Sequence, residues 1–265
     1  MKAVNLIKTN HNFKIGDKCP YTEPNVSEDC ILVENDKPVG FFIKKMPEKL
    51  CKIADLANYE LRSENVPKSM MERNKPTGKD ENGKWKYETV QQYSTIIGSV
   101  PPKPVMRRPY PTISSVHQVK SATNFIKAML LLANESENII ADIMPEQYKT
   151  QFEAFKNVDE KWKFGKLFTS SISNYNINAD YHIDSANIKN TVNVIVTKRL
   201  NSKGGNLNVP DYGATFDQCD NSMLVYPAWR NMHGVTPIIP SFDGGYRNSL
   251  VFYPLKAFYK EFNND

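Results

Sequence analysis

The chain is poor in cysteine and histidine, and what is missing narrows its chemistry. Four cysteines, Cys19, Cys30, Cys51 and Cys219, are scattered through 265 residues with no C-x-x-C pair, which argues against both a zinc ribbon and a disulfide framework. There are four histidines, His11, His117, His182 and His233, so any imidazole chemistry must draw on this short set. No stretch approaches the roughly 18–20 apolar residues of a membrane span. The opening "MKAVNLIKTNHNF" has no apolar core of signal-peptide length, so the expected location is intracellular and cytoplasmic. No internal repeat or low-complexity tract is evident. The charge imbalance is slight, +5 with a pI near 8.8; it suits an anionic partner such as nucleic acid without requiring one. Hydrophobic residues at 40% and charged residues at 24% are ordinary for a globular chain with one large, elaborated domain.

Along the chain the texture changes once. Residues 1–30 show no clear period. "ILVENDKPVGFFIKK" (31–45) predicts a hairpin around the turn-prone "NDKP", and "PEKLCKIADLANYEL" has helical spacing. Residues 62–90 are polar, charged and turn-rich, which predicts a long exposed loop. Strand-like "YSTIIGSV" then leads into the basic, proline-punctuated "PPKPVMRRPYP". "SSVHQVKSATNFIKAMLLLAN" (114–134) predicts the clearest helix, with a serine as N-cap. "MPEQYKTQFEAFKNV" predicts another, with Pro145 at its first position. From about residue 166 seven short apolar runs alternate with turns, the mark of a sandwich or jelly roll. The expected class is α+β, with a double-stranded β-helix (jelly-roll) core in the C-terminal half supported by helices and extra strands from the N-terminal half.

Three residues of that half form a suggestive set. His182 and Asp184, in "YHIDSAN", are separated by one residue and share a face of an extended backbone; His233 opens the later segment "HGVTPI". Two histidines and one carboxylate make the facial triad that binds Fe(II) and leaves coordination positions open. In "YRNSLVFYPL", Arg247, Ser249, Val251 and Tyr253 share one face. An arginine and a hydroxyl pointing into such a barrel call for an anion, and the distal carboxylate of 2-oxoglutarate would supply it. The ordered set, H-x-D, distal H, then R-x-S, is the signature of Fe(II)/2-oxoglutarate dioxygenases. The same residues also admit a plainer reading: a structural H-x-D turn, a core histidine, and an arginine paired with a surface acid.

"HIDSANIKNTVNVIVTKR", "HGVTPI" and "YRNSLVFYPLKAF" together resemble the TET/JBP family, oxygenases that oxidise the 5-methyl group of pyrimidines in DNA. The resemblance covers roughly residues 166–258. It implies His182, Asp184 and His233 as iron ligands and Arg247 and Ser249 as the grip on 2-oxoglutarate. It further implies Asn187 as a hydrogen-bond partner of the target base and Tyr253 as the aromatic that stacks on it; a turn-capping Asn and a core Tyr are the plain alternatives. One position departs from the family pattern: Leu255 stands where a histidine is expected two residues beyond the tyrosine. The cysteine-rich region of animal members is also missing, so the chain resembles a compact member of the kind that bacteriophages or bacteria encode, which would place it in a bacterial host cytoplasm.

The resemblance implies hydroxylation, and further oxidation in repeated rounds, of 5-methylcytosine slightly ahead of thymine. Fe(II), 2-oxoglutarate and O2 would be consumed or bound, the DNA partner would present a flipped base, and no membrane or obligatory protein partner is expected. Candidate phosphate or cosubstrate contacts are Arg107, Arg108, Lys198 and Arg199, with the "KSMMERNKP" stretch and Lys203 beside them. In domain terms, residues 1–90 would be an extension (hairpin, helix, exposed basic loop) packed on a dioxygenase domain of residues 91–265, with helices in 114–157 and the jelly roll in 166–258. Two other functions suit the same residues: an Fe(II)/2-oxoglutarate hydroxylase of a protein or small molecule, and a non-catalytic jelly-roll DNA-binding module.

Overall fold

The computed structural model describes residues 1–103, 105, 108–240 and 244–259, and of residues 71–78, 85–91 and 240 the backbone only. In chain order its strands are β1 (Lys2–Asn5), β2 (Cys30–Glu34), β3 (Lys37–Ile43), β4 (Ser69–Lys79), β5 (Trp85–Val100), β6 (Thr112–Ile113), β7 (Ser170–Tyr175), β8 (Ala179–His182), β9 (Asn193–Leu200), β10 (Ser202–Gly204), β11 (Leu207–Val209), β12 (Ala214–Thr215), β13 (Ser222–Tyr226), β14 (His233–Val235), β15 (Ile238–Pro240) and β16 (Tyr246–Tyr253). Three α-helices, α1 (Glu48–Arg62), α2 (Thr123–Ile143) and α3 (Pro145–Phe155), lie between β3 and β7.

A major sheet runs β1-β2-β3-β13-β9-β16-β7-β5-β4, and a minor sheet runs β12-β11-β14-β8. Period-2 alternation assigns the two faces of the central strands. Val194 and Val196 of β9, with Leu250 and Phe252 of β16, pack against α1 and α2 through Ala54, Leu61, Phe125 and Leu132. Ile195 turns the other way and packs with Leu207, Val209 and Phe216 of the minor-sheet side. The core is thus a double-stranded β-helix, two sheets facing one another with the helices on the outer face of the larger. N-terminal strands extend the major sheet at both ends.

Several local expectations differ from the structure. The hairpin at 31–45 forms, turning at Asn35 and Asp36, both in the left-handed region (φ 50° and 61°) as a two-residue hairpin loop requires. Residues 1–30 contribute β1, which pairs in parallel with β2. The polar stretch 62–90 is a β-hairpin, not a loop: β4 pairs with β5, and β5 is anchored on β7 through Tyr93–Gly98. Backbone pairing carried on from an apolar segment holds these strands, so no hydrophobic alternation marks them. Their turn is closed by Asp80, whose carboxylate accepts from the Asn82 and Lys84 amides. The boundary expected at residues 90/91 falls inside β5.

The helix expected at 114–134 starts later. Ser114 does cap a turn, accepting from the Val116 amide, but residues 115–118 and 120–122 are short 3-10 turns and α2 begins at Thr123. His117 Nε2 accepts from the Gly98 amide and Ser114 Oγ donates to the Ile96 carbonyl; these ties to β5 hold the chain out of α-helical geometry. Pro145 opens α3 as expected. Among the described residues no helix is long and apolar enough to cross a membrane.

Candidate active site

Between the two sheets lies a cavity of about 340 Å³. Its floor comes from the major sheet, where register brings side chains of one face side by side. Ser249 pairs with Asn174 of β7 and Thr197 of β9, Val251 with Ile172 and Ile195, and Arg247 with Arg199. Its opposite wall comes from the minor sheet, with His182 and Ala179 of β8 and His233 and Val235 of β14.

His182 and His233 face one another directly across the antiparallel β8–β14 pair, with ring centroids 4.4 Å apart. The strands are this close because Gly234 follows His233; a Cβ there would lie 2.8 Å from Cys19 Cβ and 3.0 Å from Tyr181 Cδ1. Asp184 lies beyond the end of β8, where its amide donates to the Ala228 carbonyl. One ligand atom from each of His182, Asp184 and His233 falls within 4.8 Å of the others, the one such cluster among the described residues.

The donor set fits a divalent cation. His182 Nδ1 donates to the Asp180 carbonyl (2.8 Å) and His233 Nδ1 to the Asn231 carbonyl (2.9 Å). A carbonyl only accepts, so each ring carries its proton on Nδ1 and offers the Nε2 lone pair, the usual outer-shell arrangement of a metal-binding imidazole. Burial holds His233 below the ordinary imidazole range, against the opposing pull of Asp184. Asp184 divides its two oxygens: Oδ1 is 3.6 Å from His182 Nε2, while Oδ2 accepts from Asn193 Nδ2 at 2.9 Å.

Arg247 is a buried cation at the other end of the cavity. It is 2% exposed, and among the described residues no carboxylate pairs with it. Its Nη2 donates to Gln218 Oε1 (2.9 Å), and its Nε has no partner among the described residues. Burial, together with the neighbouring Arg199, pushes it down to about 9, so the guanidinium stays charged at neutral pH. A buried cation with an unmatched donor beside a cavity suits a carboxylate, so the residues present fit the distal end of 2-oxoglutarate. Ser249 lines the same cavity and its Oγ accepts a long bond from Asn174.

Asn187 and Tyr253 also line the cavity, as does Leu255, whose backbone bridges to Asn187. Asn187 is buried, its Nδ2 donating to Asn193 Oδ1. Tyr253 packs with Ile188, Leu255 and Phe258. Sequence reasoning did not single out Asn193 or Gln218, because each acts through contacts between segments that no local spacing announces.

The basic candidates fare differently. Lys198 points to the helix face, where it is buried and paired with Asp55 (2.6 Å) and Asp220 (2.9 Å); it is not a phosphate contact. Arg199 points inward and is consumed by Ser202 Oγ and the Gln218 and Gly204 carbonyls, so it supplies charge to the Arg247 end without reaching outward. Arg108 donates to the Pro101 carbonyl and does not line the cavity. Arg107 lies outside the described residues. Lys203 is exposed on β10, and the "KSMMERNKP" stretch forms β4.

Comparison with known proteins agrees with this geometry. The family model of the Tet_JBP oxygenase domain of the 2OGFeDO superfamily matches residues 102–256. No curated protein matches the chain by sequence. Among solved structures, NgTET1 in complex with 5mC DNA aligns with a TM-score of 0.59 at 12% identity, covering 95% of this chain and 85% of that one. A 2OG-Fe(II) oxygenase family oxidoreductase from Burkholderia pseudomallei aligns with a TM-score of 0.42 at 13% identity over 81% of this chain and 84% of that one. The first likeness shows the fold alone, and the second is too weak to carry anything.

Proposed function

Because this chain belongs to the Tet_JBP family of 2OGFeDO oxygenases, and is therefore an Fe(II)- and 2-oxoglutarate-dependent dioxygenase, we propose that it hydroxylates the 5-methyl group of a pyrimidine in DNA, 5-methylcytosine ahead of thymine. The observation that carries this is the arrangement of one cavity, with the His182–Asp184–His233 cluster on one wall, Arg247 and Ser249 on its floor, and Asn187, Tyr253 and Leu255 lining it as well. A DNA complex of the NgTET1 relative supports the substrate class.

His182, Asp184 and His233 would hold the iron. When bound, iron with 2-oxoglutarate and O2 supplies the oxidation of a C–H bond to C–OH, with succinate and CO2 as the other products. Arg247 and Ser249 would hold the distal carboxylate of 2-oxoglutarate, an anion that would neutralise the buried guanidinium. Ile172, Ile195 and Val251 give apolar walls that exclude water from the reacting centre. Tyr253 offers a ring face to the substrate base and Asn187 a polar group to its edge, as a base taken out of the duplex requires. Leu255 gives that edge no polar contact, which leaves the discrimination between cytosine and thymine to Asn187.

Every group above lies beyond residue 91; from residues 1–90, strands extend the major sheet and α1 packs on its helical face. In place of Lys198 and Arg199, the phosphate contacts fall to Lys189 and Lys256. Both are exposed, and they flank the Asn187–Leu255 bridge at the cavity. Alanine at either should weaken duplex binding alike for every sequence and lower the salt slope by about 1.

The test is nucleoside mass spectrometry after reaction with Fe(II), 2-oxoglutarate and duplex DNA containing both 5-methylcytosine and thymine. Hydroxymethylcytosine is expected, with succinate in step. Succinate formed at the same rate with and without DNA, and no oxidised base, would overturn the reading.

A further inference from the structure

We propose that Asn193 is a positioning residue whose single amide sets the orientation of both the Asp184 carboxylate and the Asn187 amide. The proposal rests on the reading that Asp184 ligates iron and Asn187 meets the substrate base. Asn193 opens β9 on the cavity face and is 2% exposed. Its Nδ2 donates to Asp184 Oδ2 and its Oδ1 accepts from Asn187 Nδ2, both at 2.9 Å.

The direction of this chain is fixed at one end. An ionised carboxylate only accepts, so Asn193 must turn its NH2 to Asp184 and its oxygen to Asn187. Asn187 must then answer with its own NH2. Two consequences follow. Asp184 is left with Oδ1 as its ligand oxygen, since Oδ2 is engaged. Asn187 is held with its carbonyl oxygen away from Asn193, and that oxygen is the acceptor it can offer a base. A cytosine edge presents an amino donor at N4; a thymine edge presents a carbonyl there and a donor at N3.

Among the described residues nothing else joins the two side chains. The backbone between them is one tight turn, with the Asn187 amide donating to the Asp184 carbonyl, and this turn fixes their positions but not the rotation of either terminal group. Asn193 therefore couples the ligand geometry to the base readout. A purely structural asparagine would satisfy the same hydrogen bonds but would carry no coupling between metal affinity and base preference.

The experiment uses the full chain with Asn193→Leu, which keeps the branched skeleton and has no polar atom, and two readouts. The first is Co(II) binding to the metal-free protein, followed by its visible absorption. The second is the ratio of 5-methylcytosine to thymine oxidation in one duplex with Fe(II) and 2-oxoglutarate saturating. Asn193→Leu should weaken Co(II) binding about 10–100-fold, the range for loss of an outer-shell partner. It should also bring the base ratio toward that of Asn187→Ala, and the double variant Asn193→Leu/Asn187→Ala should shift the ratio no further. Co(II) affinity within twofold of the parent in a folded variant would overturn the Asp184 half. Additive shifts in the base ratio would overturn the Asn187 half. If the leucine variant fails to fold, Asn193→Ser, too short to span both partners, answers the same two questions. Should the parent oxidise no DNA base, the substrate reading and the Asn187 half fall together, while the Co(II) titration still decides the Asp184 half.

Discussion

Two buried cations of one sheet sit on opposite faces and are treated oppositely. Lys198, on the helix face of β9, is neutralised by Asp55 and Asp220; burial alone would lower its ammonium, but the two carboxylates outweigh it and the net shift is upward. Arg247, on the cavity face of β16, has a glutamine for a partner and a second arginine for a neighbour. Desolvating a charge is costly unless it is paired, so the folded chain completes one cation from within and leaves the other without a carboxylate among the described residues. The face that packs is self-sufficient, and the face that lines the cavity is short of one anion.

The largest break in this comparison should come from Arg247→Gln. It should remove about 2–5 kcal/mol of interaction with the cosubstrate carboxylate, so kcat/KM for 2-oxoglutarate should fall about 30-fold or more in succinate assays, while the melting temperature holds or rises. Lys198→Met should do the converse. It leaves two partly exposed carboxylates unpaired and should cost about 1–3 kcal/mol, roughly 2–4 °C per kcal/mol in thermal melts, with the KM for 2-oxoglutarate unchanged. If both variants lose cosubstrate affinity equally, the two faces are not independent.

Glu137 carries the comparison to the opposite sign. This buried carboxylate of α2 accepts from the Lys166 and Leu167 amides, while its Oε2 has no partner among the described residues. Burial pushes it up to about 7 against the pull of those amides. Below its ordinary value near 4.5 both folded and unfolded chains hold the proton. As pH rises the unfolded chain releases it first, so this carboxyl's contribution to stability declines and is lost above about 7. Glu137→Gln, which keeps one acceptor oxygen, should flatten the stability profile between those limits by on the order of 2 kcal/mol, read from melts at pH 5 and pH 8. The smallest effect belongs to Ser249→Ala. One hydrogen bond to a charged group is worth about 1.5–3 kcal/mol at most, and with Arg247 in place the KM for 2-oxoglutarate should rise about tenfold.

How much of this was legible in the sequence depends on the range over which each residue acts. Arg247, Ser249 and Tyr253 could be placed on one face because alternation along a strand is local; Asp184 stands beyond the end of β8, so its place beside His182 comes from the turn that follows the strand, not from alternation. Lys198 and Arg199 could not be told apart by charge: they are adjacent, so one faces α1 and the other faces Arg247, and cross-strand register decides which. The hairpin of β4 and β5 was hidden because its polar residues give no alternating pattern and its order derives from pairing with β7. Asn193 and Gln218 were invisible for a related reason. Their amides matter through Asp184 and Arg247, nine and twenty-nine residues away, and neither the apolar run around Asn193 nor the polar turn around Gln218 carries any sign of that partner.

Gly234 shows how such dependence would surface in a saturation mutagenesis screen. It bears no side chain, binds nothing and performs no chemistry. Yet any replacement drives a carbon into Cys19 and Tyr181 and pries β14 from β8, the two strands that carry the facing imidazoles. In a map of tolerated substitutions this position would score with His182 and His233, and a reader of the map alone would count a spacer among the site's side chains.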